Sequence, residues 1–211
     1  MLTSPNGRRL STAAAGAVAV LTFALGLAAA AAAPAIGEPA PAFTGIDSNG
    51  NSRSLADFRG QTVVLEWTNH DCPFVRKHYG TGNMQALQKQ AAADGVVWLS
   101  VISSAPGEQG HVSAAEANRI AGQQGAGPTA ILLDPEGTIG RAYDARTTPH
   151  MYVVDAEGAL RYMGGIDDRP TANPADVAGA ENHVVAALAD VAAGRPVRTP
   201  ATRPYGCTVK Y

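Results

Sequence analysis

Residues 62–75 constrain this chain more than any other part of it. An apolar, β-branched run, Thr62-Val63-Val64-Leu65-Glu66-Trp67, ends in a short polar turn, Thr68-Asn69-His70-Asp71. Cys72 and Pro73 follow, and then a helix-compatible segment, residues 76–93. The cysteine is thereby set at a helix N-terminus, where unpaired N–H groups and the macrodipole favour a thiolate over a thiol. Pro73 suits the first turn, because its missing N–H would have no intrahelical partner. Strand, turn, cysteine, proline and helix together present a reactive thiol.

The rest of the chain alternates strands and helices. Val63–Trp67 reads as a buried strand, and residues 74–93 as one helix with Val75, Met84, Leu87 and Ala91 facing inward. Residues 96–102 give a second strand, and the Gly- and Ser-rich residues 103–110 a loop. Ser113 opens a helix that runs to Gln124, with Glu116 placed for a capping box. Residues 129–133 form a third strand, closed by the turn Asp134-Pro135-Glu136-Gly137. A β-hairpin spans residues 151–163, turning at Asp155-Ala156-Glu157-Gly158. A last helix covers 176–193, with Val177, Val184, Val185 and Leu188 inward and Gly194 at its end. This order predicts an α/β fold, a central mixed sheet with helices on both faces. Residues 195–204, with prolines at 196, 200 and 204, read as an irregular arm.

Residues 1–35 are unlike the remainder. Arg8 and Arg9 precede an alanine-rich apolar stretch, residues 13–33, closed by small residues. Charge, apolar run and A-x-A sites are the pattern of a cleaved export signal, with cleavage expected between residues 30 and 35. The competing reading is an uncleaved anchor, since the stretch is longer than the roughly 18 residues a span requires. Alanine is far less lipophilic than leucine, which favours the signal. The route, general or twin-arginine, stays open, because Gly7-Arg8-Arg9-Leu10-Ser11 is a weak version of the latter motif. The mature protein is then expected to be periplasmic or secreted and free of the membrane. Residues 36–194 form its domain, and 195–211 a C-terminal tail. A formal charge of −2 argues against nucleic acid as a partner.

Export to an oxidising compartment permits a disulfide, and the two cysteines, Cys72 and Cys207, allow one intramolecular bridge. Cys207 lies in the tail directly after Gly206, whose backbone freedom suits a mobile partner. Glu66 stands where a buried strand calls for an apolar residue. A desolvated carboxylate would have a raised pKa and would exchange a proton with a nearby thiol; the alternative is a solvated edge or a basic partner. His70 flanks the cysteine, either to stabilise a thiolate or as a plain turn residue. Arg76 and Lys77 either supply a positive field to the thiol or form the wet face of the helix.

The stretch around Cys72 resembles the active-site segment of the thioredoxin-like superfamily, in its redoxin branch, which includes the peroxiredoxins of the AhpC/TSA type. Ile36-Gly37-Glu38-Pro39-Ala40-Pro41-Ala42-Phe43 is similar to the opening segment of redoxins. Ser54-Leu55-Ala56-Asp57-Phe58-Arg59-Gly60 resembles their lead-in to the first core strand. Thr147-Thr148-Pro149-His150 falls where the family has its cis-proline loop. The resemblance covers roughly residues 36–190 and implies a thioredoxin-like fold. It further implies that Pro149 packs against Cys72 in the cis form, leaving the backbone at Thr148 to pair with an extended substrate. Thioredoxins hold a buried carboxylate six residues before their first cysteine, and that position is Glu66. Their second cysteine, three residues after the first, is replaced by Val75, so there is no local dithiol. Peroxiredoxins carry Thr or Ser three residues before their cysteine; Asn69 stands there.

Two function classes follow. The first is an exported thiol oxidoreductase using Cys72 as nucleophile toward a peroxide or a disulfide. In it Cys207 resolves the product, Glu66 assists, and Pro149, Thr148, His70 and Asn69 position the substrate. It requires an external thiol reductant and no cofactor or metal. The second is a binding module in which Cys72 with His70, His78 or His150 holds a soft metal such as copper.

Overall fold

The computed structural model describes residues 1–3 and 33–211. The export signal expected over residues 1–35 therefore lies almost entirely outside the described residues. In chain order the elements are β1 (Thr44–Asp47), β2 (Ser52–Ser54), a 3-10 turn (Leu55–Phe58), β3 (Val63–Trp67), α1 (Pro73–Gly80), α2 (Asn83–Ala93) and β4 (Val97–Ile102). They continue with α3 (Ala114–Gln124), β5 (Ala130–Leu133), α4 (Thr138–Ala142), β6 (Thr147–Thr148), β7 (His150–Val154) and β8 (Leu160–Gly164). A second 3-10 segment (Pro174–Gly179), α5 (His183–Ala192) and β9 (Cys207–Thr208) complete the chain.

Seven strands form one mixed sheet in the order β2-β1-β5-β4-β3-β7-β8, and β6 and β9 make a separate two-stranded pair. β3 is parallel to β4 and antiparallel to β7, so it is flanked on both edges, and all five of its residues are buried. That explains a near-continuous apolar run where a strand open to water on one face would alternate. Alternation instead sorts its side chains between two cores. Val63, Leu65 and Trp67 join Leu55, Phe58, Ile139, Tyr143 and Tyr152 on one face. Val64 joins Cys72, Val75, Met84, Trp98, Met151 and Val184 on the other, beneath α1, α2 and α5. The expected α/β architecture, a mixed sheet covered on both faces, is the one observed.

Several boundaries differ from the sequence expectation, each for a local reason. The single helix expected over residues 74–93 is two, broken at Thr81 and Gly82, where Gly82 takes φ +76°. The Thr81 hydroxyl donates back to Lys77 O at 2.8 Å, competing with continued helix. The last helix begins later than expected, because the Asn182 side chain caps it by accepting from Val184 N and Val185 N, each at 3.0 Å. Val185 then points outward and Ala187 inward, the reverse of the reading for Val185. Ser113 does cap α3, but the Glu116 carboxylate pairs with Arg119 and does not close a capping box.

The C-terminal segment departs furthest. Residues 195–211 read as an irregular arm and mobile tail, yet they are docked along their length. Ala201 bridges to Met163 in parallel, extending the sheet past β8. β9 pairs with β6, Val209 is buried in the first core, and Tyr211 donates to Ala145 O at 2.7 Å. Gly206 is no hinge. Its φ is +137°, and a Cβ there would collide with the Thr148 carbonyl oxygen. Glycine is required for close approach of two backbones.

Candidate active site

Cys72 occupies the N-cap of α1, with Pro73 at the first helical position. The turn that delivers it is built by Asn69, a buried residue. Asn69 Oδ1 accepts from Asp71 N at 2.9 Å, its backbone O accepts from Cys72 N at 3.0 Å, and its Nδ2 donates to Gln109 O at 3.2 Å. Asn69 thus shapes the loop in place of offering a hydroxyl to a substrate. His70 is half-buried beside Asp71, 3.4 Å from its carboxylate, and Asp71 is also held by Arg76 at 2.9 Å.

Across from the thiol, Pro149 is in the cis form after Thr148. Cys72 Sγ donates to Thr148 O at 3.1 Å. The same Thr148 is the register partner of Cys207 in the antiparallel β6–β9 pair, and Thr147 that of Thr208. So the backbone expected to receive an extended substrate is occupied by the protein's own C-terminal strand. The two cysteines, far apart in sequence, lie next to each other. Both are free thiols, Cys72 wholly buried and Cys207 half-buried.

The electrostatics of the pair are unequal. Burial pushes the Cys72 thiol up, but the Cys207 thiol, the Val75 N–H, the Thr148 hydroxyl and the Cys207 N–H donate toward it and bring its pKa below the ordinary value. Cys207 is pushed up to about 12, by burial first and then by its bond to Cys72 and the charge there. Cys207 therefore holds its proton the more tightly, and Cys72 is the more acidic thiol of the pair. Alkylation of Cys72 against pH is expected to give a midpoint below the free-thiol value of about 8.5. In Cys207→Ala, which removes the leading donor, the midpoint should move up. An unmoved midpoint would mean that Cys207 does not set the acidity of Cys72.

Glu66 is wholly buried on the α1 side of the sheet, and its hydrogen bonds go elsewhere than to Cys72. Tyr79 hydroxyl donates to Oε1 at 2.9 Å; Trp98 Nε1 at 2.8 Å, Ser100 Oγ at 3.1 Å and Gln88 Nε2 at 3.4 Å donate to Oε2. Burial raises its pKa against the pull of these donors. The thiol with which Glu66 is expected to exchange a proton is not among these partners. Glu66 organises a polar knot inside the second core.

For Lys77 the structure corrects the expectation. It is on no wet face: its side chain is fully buried, 3.3 Å from Asp167 Oδ2 and 2.8 Å from Arg169 O. His78 is buried beside it, its Nε2 3.3 Å from the Tyr205 hydroxyl and its Nδ1 2.9 Å from Asn83 Nδ2. Burial holds the imidazole down to about 4, so it is neutral. His150 is likewise buried, down to about 3, with Nδ1 3.0 Å from the Tyr152 hydroxyl. The histidines considered as metal ligands with Cys72 are engaged with other partners. Among the described residues no group of three or more His, Cys, Asp or Glu is placed to hold a metal. Tyr205 and Asp167 were not anticipated; the one sequence signal was an aromatic two places before Cys207.

A seven-stranded mixed sheet, a cysteine at a helix N-terminus and a cis-proline loop against it define a thioredoxin-like redoxin. The sequence pattern of the AhpC/TSA family matches residues 36–163, and the chain belongs to that family. No curated protein matches it. Among solved structures, an uncharacterized conserved protein from Geobacillus kaustophilus is 25% identical with a TM-score of 0.71, covering 84% of this chain and 92% of that one. A hypothetical protein from Sinorhizobium meliloti is also 25% identical, with a TM-score of 0.68 and coverage of 85% and 96%. A putative thiol:disulfide interchange protein from Chlorobium tepidum shares the fold at 21% identity and a TM-score of 0.51, over 62% of this chain and 85% of that one.

Proposed function

We propose that this protein is an exported two-cysteine thiol oxidoreductase whose working pair is Cys72 and Cys207. The observation that carries the reading is the β6–β9 register, which sets Cys207 opposite Thr148 while Thr148 O accepts from Cys72 Sγ. With a disulfide substrate, the Cys72 thiolate attacks one sulfur and the other leaves as a thiolate. Cys207 then attacks the mixed disulfide at Cys72 Sγ, losing its proton to the departing substrate sulfur. The Cys72–Cys207 bond forms, the substrate leaves reduced by two electrons, and an external dithiol restores the pair.

A disulfide is the substrate we favour over a peroxide. The groups that lower the Cys72 thiol are hydrogen-bond donors, none of them a cation. On α1 the cations are committed, Arg76 to Asp71 and Lys77 to Asp167, and the charge of Lys210 bears on Cys207. No cation is thus among the groups that set the acidity of Cys72, where a breaking O–O bond would call for one. The amino-terminal pattern of residues 1–35 supports export, and N-terminal sequencing of the mature protein should begin between residues 31 and 35.

The test is mass spectrometry of the reduced protein exposed to glutathione disulfide or to hydrogen peroxide. Glutathione disulfide is expected to convert it to a species lacking two hydrogens, with Cys72 and Cys207 in one cross-linked peptide. Cys207→Ser should instead stop at a glutathione adduct on Cys72, and Cys72→Ser should stay unmodified at neutral pH. Two free thiols after both oxidants would overturn the reading. Faster bridging with peroxide than with disulfide would reverse the substrate preference.

A further inference from the structure

The same helix that presents Cys72 also holds the segment carrying Cys207. Tyr205 sits two residues before Cys207, and its ring packs edge-on against Phe74 at 5.9 Å between centroids. Lys77 Nζ lies 5.5 Å from the centre of that ring. The Tyr205 hydroxyl donates to Asp167 Oδ1 and lies 3.3 Å from His78 Nε2. Phe74, Lys77 and His78 all belong to α1, whose N-cap is Cys72. Asp167, from the loop after β8, is locked to α1 by Lys77 and accepts from Arg169 N at 2.9 Å.

We propose that Tyr205 is the positioning residue of the cysteine pair, clamped by Phe74, Lys77, His78 and Asp167 so that α1 fixes Cys207 against Cys72. The inference rests on the two-cysteine reading above and adds what sets the distance. Nucleophile and clamp share one rigid helix, so Cys207 is referenced to Cys72 directly and not through a long path across the sheet. Gly206, between clamp and cysteine, lets the backbone close onto the Thr148 carbonyl. The tail gains its effective concentration at Cys72 from this side, while Val209 and Tyr211 hold it downstream. A bridging thiol held in near-attack geometry reacts far faster than one on a free tail.

The experiment is redox equilibration of the full-length protein with glutathione, with wild type, Tyr205→Phe and Tyr205→Ala compared. The measured quantity is the equilibrium constant for forming the Cys72–Cys207 bond, which reports the effective concentration of the two thiols. Tyr205→Ala is expected to lower it at least about tenfold. Tyr205→Phe keeps the ring on Phe74 and under Lys77 but loses the hydroxyl contacts, and a smaller, severalfold drop is expected. A residue that merely stabilised the fold would lower the melting temperature and leave this constant unchanged wherever the protein is folded. Constants within twofold of wild type for both folded variants would overturn the clamp while leaving the two-cysteine reading intact. If Tyr205→Ala does not fold, the phenylalanine variant decides by the same limit. Should wild type itself form no Cys72–Cys207 bond, the two-cysteine reading falls and the clamp with it.

Discussion

Replacing Asp167 by asparagine is expected to cost the fold about 3–5 kcal/mol. Asp167 is buried and its carboxylate serves three partners: Lys77 Nζ, the Tyr205 hydroxyl and Arg169 N. Asparagine can keep the shape and some hydrogen bonds. It cannot keep the charge, and Lys77, whose side chain has no exposure, is left without an anionic partner, with the Arg169 carbonyl and the Tyr205 ring beside it. An unpaired buried ammonium is far costlier than the pair it came from is favourable. The double variant Lys77→Met, Asp167→Leu should therefore recover a large part of the loss, which denaturant unfolding would measure. If the single variant cost less than about 1 kcal/mol, water reaches Lys77 and the pair is not desolvated. Asp167→Asn also removes the carboxylate that holds the Tyr205 hydroxyl, leaving it His78 Nε2, so alkylation of Cys72 should be faster than in wild type.

What the sequence made legible was the part written in local pattern. The run from Val63 to Trp67, the polar turn and Cys72-Pro73 specify strand, loop and helix start with residues adjacent in the chain. Their placement at the centre of a mixed sheet followed. Pro149 was legible because it stands alone before an apolar strand. The docking of the tail was not, because it depends on pairings across great separations: Thr148 with Cys207, Met163 with Ala201, Lys77 with Asp167. A two-residue strand has no periodicity to read. Lys77 misled for a physical reason. α1 is buried on Val75, Lys77, His78 and Tyr79 together, so it has little wet face, and the lysine's partner lies 90 residues on. Gly206 was read as freedom when its role is contact, which only the backbone of Thr148 reveals.

Glu66 marks the boundary between those two kinds of information, and its substitution is the second large expected effect. A charged residue inside a buried strand announces a partner without naming it. Four donors surround the carboxylate: Tyr79, Gln88, Trp98 and Ser100. Glu66→Leu removes the acceptor and leaves the Trp98 indole N–H and the Ser100 hydroxyl buried without it, a loss of about 3–5 kcal/mol. Glu66→Gln separates charge from hydrogen bonding. Burial raises the folded-state pKa of Glu66 above its unfolded value. Stability from this group is therefore fully present below the unfolded value of about 4.3 and is lost as pH rises through the folded value. Glutamine does not titrate, so the variant should gain on wild type between acid and neutral pH, and chemical unfolding across that window would show it. Because no hydrogen bond joins Glu66 to Cys72, the pH midpoint for Cys72 alkylation should be the same in Glu66→Gln. A shifted midpoint with the fold intact would restore the carboxylate to the thiol's proton chemistry, acting through Tyr79 along α1.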